Sequence, residues 1–389
     1  MRVLIIHRYF WPEDGAAEEP LMLKDYVEWH RSKGHDIELV FGAKKNHKKY
    51  WENKFDKNVK FNYFTANVDR ESSFTQRILN SIKVLVLALK CTVFKKNFDL
   101  IYVFSGPPLI SLIINLVNLI KINKSNVIFI LQDNVIYRIK NSFLKFLFKK
   151  YLKYTVLFSK KVIVLSDPMK DEILNYFSKN KQNKIAKKIF VLVNFCFDLD
   201  YKKSQSNEGR KIDILYAGNH GPSQGLLNFL DVLSKVKCHR ALNISFYGDG
   251  TQKTKIIQKS NELNLNIKFN DPVPRYKIKE VMSQSRFGLV SMNKSLSSYA
   301  FPSKLAAYLS SGAKVIISSN GKDPLKDYVK KYDFGFAIDS SKASDAAKSL
   351  EKNLELFKGN NFEFKKEVLK QFDKKTYFQT LDKILFLIQ

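Results

Sequence analysis

"FPSKLAAYLSSGAKVIIS", Phe301 to Ser318, is the stretch on which the fold turns. Pro302 and Ser303 predict a helix start, Ser310, Ser311 and Gly312 its exit, and the β-branched run that follows a strand. A helix that runs through a glycine stop into a strand is one step of an alternating α/β chain. Within that step Lys304 is out of place, because a cation in the first helical turn opposes the helix dipole unless an anion lies nearby. No Asp or Glu occurs from Val281 to Lys322, so the neighbouring sequence does not supply that anion.

Outward from this stretch the same alternation repeats. Strands are predicted in the first half at "VLII", "IELVF", "LIYVF", "VIFIL", "VIVLS" and "IFVLV", and in the second at "DILYA", "NISFY", "NIKFN", "FGLVSM" and "KVIIS", with helical patterns between them. The polar, aperiodic run "DLDYKKSQSNEGRK" separates the halves. The expected architecture is α/β, with two Rossmann-like domains facing a central cleft and ligands at the carboxyl ends of the strands. Its parts are residues 1–198, a linker at 199–211, a second domain at 212–365, and a C-terminal helix at 366–389 that packs on a domain surface. Val368, Phe372, Phe378, Leu381 and Leu385 share the apolar face of that helix.

The chain has 389 residues, and its 66 Lys and Arg against 37 Asp and Glu give a formal charge of +29. Such an excess points to an acidic partner, either a membrane surface, a nucleic acid or a phosphorylated substrate, the alternative being a Lys- and Asn-rich proteome that writes its solvated faces with lysine. A nucleic-acid partner is set aside, because no recognised module or clustered aromatic platform accompanies the charge. Three cysteines without a CxxC pair, and histidines without metal spacing, fit a reducing compartment and no zinc site. The "DLD" triplet at Asp198 to Asp200 lies in the linker and not at a strand end, so no metal is expected. The strand at residue 2 has no signal-like leader, and the longest apolar run, from Pro107, is too short to span a bilayer. The expected location is the cytoplasm, at the periphery of the inner membrane.

Two segments carry the membrane expectation. Between Asn134 and Ser166 no acid occurs, and Lys145, Lys149 and Lys153 share one helical face while Phe143, Leu147, Tyr151, Tyr154 and Phe158 share the other. "RILNSIKVLVLALKCTVFKK", from Arg77, is more apolar and equally poor in acids. The alternative is a pair of core-facing helices with snorkelling lysines.

The second half opens with "LYAGNHGPSQGLLNFLDVL", a strand, a turn with glycines at 218, 221 and 225, and an amphipathic helix. Glycines there let backbone N–H groups approach a phosphate at the helix start, although such loops also serve as plain turns. "FYGDGTQKTKIIQKSNEL" repeats the arrangement, with Asp249 as a cap or turn residue, and "FNDPVPRYKIKEVMSQSRFGLVSM" adds a loop with Arg275 before a helix and strand.

This succession, "YAGN…QGL", "YGDG", "VPRYKIKEVMSQSRFGLVSM" and "FPSKLAAYLSSGAKVI", resembles the donor-binding domain of family 4 glycosyltransferases, retaining enzymes of the GT-B fold, in the branch that assembles bacterial capsule, O-antigen and exopolysaccharide. The first half is similar to the family in "IIHRYFWPEDGAAEEPLMLKDYVEWHRSKGHDIELVFG", "FDLIYVFSGPP", "ILQDN", "VIVLSDPMKDEIL" and "VLVNFCFD". The resemblance implies a metal-independent transferase without cofactor, with a UDP- or GDP-sugar held by the second domain and a lipid-linked or oligosaccharide acceptor by the first. It places the donor against Gly218, Asn219, His220, Gln224, Gly225, Arg275, Pro302, Ser303 and Lys304, with Gly15 approaching from the first domain. His220 either touches phosphate or fills the turn. Lys304 then faces the diphosphate, which is the missing anion, with a surface lysine on the first helical turn as the alternative. Asp133 orients the acceptor hydroxyl or acts as base, with a cap or turn role as the alternative.

Two departures accompany the resemblance. Asn219 and Gln224 stand where the family carries an Arg and a Lys, and Tyr299 and Ala307 where it carries two Glu residues. Amide and backbone donors then replace salt bridges, or the chain is a non-catalytic partner subunit that keeps the fold.

Overall fold

The computed structural model describes residues 1–9, 21–43, 59–66, 74–94, 97–106, 108–132, 136, 139, 141–195, 209–237, 239–293, 303–320, 323–357 and 366–387. Gly15, Asp133, Tyr299, Pro302 and most of the expected linker lie outside these residues. The chain divides into two compact units, Met1–Leu192 with Phe378–Gln389, and Val193–Tyr377.

The first unit runs β1 (Arg2–Tyr9), α1 (Leu21–Ser32), β2 (Asp36–Ala43), β3 (Val59–Thr65), α2 (Phe74–Phe94), β4 (Leu100–Phe104), α3 (Ile110–Ile120), β5 (Asn126–Leu131), α4 (Ser142–Phe158), β6 (Lys161–Val164), α5 (Asp167–Leu174), α6 (Lys179–Ala186) and β7 (Ile189–Val191). Its strands form a parallel seven-stranded sheet in the order β3-β2-β1-β4-β5-β6-β7. Continuous Val, Ile, Leu and Phe runs such as "NVIFIL" in β5 bury both faces, as parallel strands require. Side-chain caps punctuate the helices: Leu144 N–H donates to Asn141 Oδ1 at 3.0 Å at the start of α4, and Ser166 caps α5 ahead of Pro168.

The second unit runs β8 (Ile212–Ala217), α7 (Leu226–Leu233), β9 (Ile244–Tyr247), α8 (Lys253–Glu262), β10 (Ile267–Asn270), α9 (Arg275–Ser283), β11 (Ser285–Met292), α10 (Ser303–Ser310), β12 (Lys314–Ser319), α11 (Pro324–Tyr332), β13 (Gly335–Asp339), α12 (Ala343–Leu356) and α13 (Lys366–Gln371), and α14 (Lys374–Phe386) starts in it and passes into the first unit at Phe378. Its parallel six-stranded sheet has the order β10-β9-β8-β11-β12-β13. Two clusters cover its faces, one built around Phe229, Leu233, Phe246 and Leu350, the other around Leu305, Tyr308, Val315 and Phe372. The opening stretch folds as its sequence predicts: α10 begins at Ser303, Gly312 exits at φ +72°, and β12 follows.

Three readings change. The edge strands β3 and β13 are absent from the predicted set. The C-terminal helix is two helices, because Asp373 interrupts it and caps the second, its Oδ2 accepting from Thr376 N–H at 2.8 Å. Val368 and Phe372 pack in the second unit's core, whereas Phe378 stacks on Trp29 and packs edge-on to Tyr26 in the first unit. Finally, Tyr151 leaves the outer face of α4 and turns inward, its hydroxyl 2.7 Å from Ser111 Oγ.

Candidate functional site

In both sheets the strand order reverses once, between β1 and β4 in the first and between β8 and β11 in the second. Loops leave in opposite directions at such a switch point and open a crevice at the carboxyl ends of the strands. In the second sheet the bordering segments are the Gly218–Gly225 loop after β8 and the start of α10 after β11. Helices α7, α8, α9 and α10 each follow a parallel strand, so their N-termini lie at that same end of the sheet.

Lys304 is the charged group at this point. Its amine donates to Tyr216 Oη at 3.0 Å and to Gln224 Oε1 at 2.9 Å, and lies 4.3 Å from the centre of the Tyr216 ring. Burial lowers its pKa to about 7, so the amine holds its proton weakly at neutral pH. A Cβ on Gly218 would stand 3.0 Å from Lys304 Nζ, so the glycine leaves room for the lysine tip. Tyr216 closes the turn by donating to the Asn219 carbonyl at 2.6 Å.

The neighbouring "YGDG" turn is nested into the first loop. Gly218 N–H donates to the Tyr247 carbonyl at 2.9 Å, and His220 N–H to the Asp249 carbonyl at 2.8 Å. A Cβ on Gly248 would fall 2.0 Å from the Gly218 carbonyl oxygen, which restricts that position to glycine. Asp249 accepts from Gly250 N–H at 2.8 Å, a turn role. Gly225 takes φ +61° at the head of α7.

His220 is fully buried, with its ring edge-on to Tyr216. Burial foremost, then the Lys253 and Lys304 charges, lower its pKa to about 4. His30 in the first unit, also fully buried, falls to about 3 through burial and the adjacent His35. Each folded unit therefore refuses a proton that the unfolded chain accepts below pH 6.5. Stability from these groups is intact above that pH and declines as the pH falls toward their folded values. At about pH 5 the second unit should lose roughly 2 kcal/mol relative to about pH 7.5, at about 1.4 kcal/mol per pKa unit, and the first unit about twice that, because burial lowers His7 to about 4 as well. Urea unfolding at the two pH values checks this, and equal midpoints would refute it.

Behind the site, Tyr308 is fully buried one helical turn after Lys304. The β8–β11 ladder reaches Leu215↔Gly288, and beyond it the Tyr308 hydroxyl takes the place of a strand partner. It donates to the Leu215 carbonyl at 3.0 Å and accepts from Ala217 N–H at 2.9 Å. The helix that carries Lys304 is thereby fastened to the strand that carries the glycine loop.

Of the residues singled out in the sequence, Gly218, Asn219, His220, Gln224, Gly225 and Lys304 come together here. Ser303 is the first residue of α10, and Arg275 that of α9 at the end of β10. Gln224 directs its carbonyl oxygen to Lys304 and its amide nitrogen to Ser223 Oγ at 3.3 Å. Tyr216 and Tyr308 were not anticipated. The signal for Tyr308 was its i, i+4 spacing from Lys304, which puts both on the helix face turned to β8. Among the described residues no three His, Cys, Asp or Glu side chains are grouped to hold a metal ion.

Residues 198–366 match the family described as "Glycosyl transferases group 1". No curated protein matches the chain. Solved structures similar over the whole chain include a lipopolysaccharide outer core galactosyltransferase, WaaB, in its apo form, with TM-score 0.65, 14% identity and 100% of both chains covered. HepE from Anabaena, solved with UDP and glucose, has TM-score 0.65 and 16% identity, with 99% of each chain covered. Sucrose-phosphate synthase from Thermosynechococcus elongatus has TM-score 0.69 and 13% identity over 100% of this chain and 99% of that one. The two parallel-sheet units thus form the GT-B fold, and the second of them, which holds the site around Lys304, carries the match to the group 1 glycosyltransferases.

Proposed function

We propose that this chain is a retaining, metal-independent glycosyltransferase. It moves a sugar from a UDP- or GDP-sugar to a saccharide acceptor, carried on a lipid, in the building of a bacterial surface polysaccharide at the cytoplasmic face of the inner membrane. The observation that carries the reading is Lys304 held against the Gly218–Gly225 loop at the strand-order reversal of the second sheet. The group 1 match over residues 198–366 supports it, as do similar structures named for UDP-glucose and for lipopolysaccharide.

A diphosphate at the first turn of α10 meets the helix dipole and the lysine together. Its charge returns the proton that burial has made Lys304 hold weakly, and the ammonium then stabilises the leaving phosphate as the glycosidic bond breaks. In a same-face transfer the acceptor hydroxyl oxygen bonds to the anomeric carbon while the carbon–oxygen bond to phosphate opens. The hydroxyl proton passes to the departing phosphate oxygen, so no protein base is required for the balance. Gly15 approaches the donor and Asp133 orients the acceptor in this reading, and Arg275 borders the base.

Thermal unfolding with UDP, GDP, CDP and ADP in parallel tests it. A ligand at about 100 times its Kd adds about 2.7 kcal/mol, which for a unit of this size raises Tm by about 5 to 10 °C. A rise with UDP or GDP is the expected result. No rise with any of the four, in folded protein, favours the second reading, a non-catalytic partner subunit. That reading has one observation behind it: α10 contains no acid, and Ala307 occupies the place of a family Glu.

A further inference from the structure

The helices α2, α3 and α4 lie side by side on the first sheet, α3 packing against both neighbours. Their inner faces supply the core through Val84, Ile114 and Leu152. Their outer faces are apolar as well. Of the 21 exposed large apolar residues among the described positions, 17 fall between Ile78 and Leu157, so the exposure is concentrated and not scattered. Phe143 is 65% exposed and Ile120 84%. The α2 sequence of 21 residues makes the layer about 30 Å long.

The three helices contain no Asp or Glu, while Arg77, Lys83, Lys90, Lys145, Lys149, Lys150 and Lys153 lie on α2 and α4. Lys149 and Lys153 flank the exposed stripe of α4, their amines over the rings of Tyr176 and Phe177, and Lys150 sits over Phe146 within it. Protein interfaces are depleted of lysine at their centres, whereas aliphatic and aromatic side chains edged by lysines, without acids, fit a bilayer with anionic headgroups. No helix among the described residues is long and apolar enough to cross a membrane.

We infer that the α2–α3–α4 layer is a docking face that lies flat on an anionic lipid bilayer, its apolar side chains entering the headgroup boundary and its lysines pairing with lipid phosphates. The inference rests on the membrane location in the proposed function and names the face that would make it, and because it is read without donor or acceptor its failure leaves the transferase reading standing.

Flotation of the full-length protein with vesicles of phosphatidylcholine, alone or mixed with phosphatidylglycerol, tests it. The wild-type chain should bind the mixed vesicles, bind them less as salt rises, and bind neutral vesicles at least about tenfold less. Phe146→Glu/Leu147→Glu on α4 and Leu79→Glu/Ile82→Glu on α2 should each reduce binding at least tenfold without changing the melting temperature. Replacing Lys145, Lys149, Lys150 and Lys153 together with Gln should reduce it about 30-fold or more at low salt, with the loss shrinking at high salt. That variant also decides the matter if a glutamate variant fails to fold. Absence of wild-type binding to the mixed vesicles would overturn the inference, as would undiminished binding by the lysine variant. A stable dimer that the same glutamate substitutions dissociate would assign the face to a second copy of the chain instead.

Discussion

Lys304→Met is expected to leave the protein folded and to cut glycosyl transfer by a hundred- to a thousandfold. The amine is partly buried, and its proton is held far less tightly than that of an exposed lysine. An unbranched apolar side chain of similar length removes that desolvation penalty and keeps the packing over the Tyr216 ring. Tyr216 keeps its hydrogen bond to the Asn219 carbonyl, so the loop retains its closure. Tm should therefore hold or rise, while the increment produced by UDP or GDP disappears. The rate loss corresponds to about 3 to 4 kcal/mol, the scale of one donor aimed at developing charge in a water-poor site. Lys304→Arg should recover little, because the guanidinium is larger and Gly218 leaves no more than the space of an amine. Wild-type transfer rates in the methionine variant, or an undiminished diphosphate response, would remove Lys304 from the site.

The second large effect concerns Gly288. An added Cβ there would lie 2.1 Å from Cγ of Tyr308, against a ring with no exposed surface. The ring would have to move, and with it the hydroxyl that completes β8 at Leu215 and Ala217. Overpacking costs about 1 to 3 kcal/mol, and a buried carbonyl and amide left unpaired cost about as much again. A total of about 4 kcal/mol is a large share of the stability of a single domain, so Gly288→Ala should lower the Tm of the second unit by about 8 to 16 °C. The pair is coupled: in a Tyr308→Ala background the same Gly288→Ala change should cost much less, because the clashing ring is gone. Equal penalties in both backgrounds, measured by urea unfolding, would show that the close approach does not set the stability.

The alternation that makes the fold was legible because interior parallel strands are buried on both faces and read as unbroken apolar runs. Edge strands break that rule. β3, "VKFNYFT", mixes polar residues into a half-exposed ladder, and β13, "GFAID", is short and begins with glycine, so neither carries a run. The site was legible where a local rule was violated, as with a cation in the first turn of α10. It was illegible where the partner is set by tertiary register. No local rule says that Gln224 accepts from Lys304, or that Tyr308 completes a strand 91 residues away at Ala217. Likewise helical period placed Tyr151 on one face with Phe143, and only the neighbouring α3, through Ser111, draws it inward.

The partition of α14 has a consequence for the order of events during synthesis. Phe378–Gln389 belong to the first unit, where Phe378 stacks on Trp29 and Asp382 pairs with Lys33. A ribosome adding about 5 to 20 residues per second therefore finishes most of the first sheet long before it delivers the ring that covers Tyr26 and Trp29. The amino-terminal unit stays incomplete until the segment from Phe378 has been made, so a nascent chain stalled short of Phe378 presents an uncovered aromatic patch to the chaperone and degradation machinery.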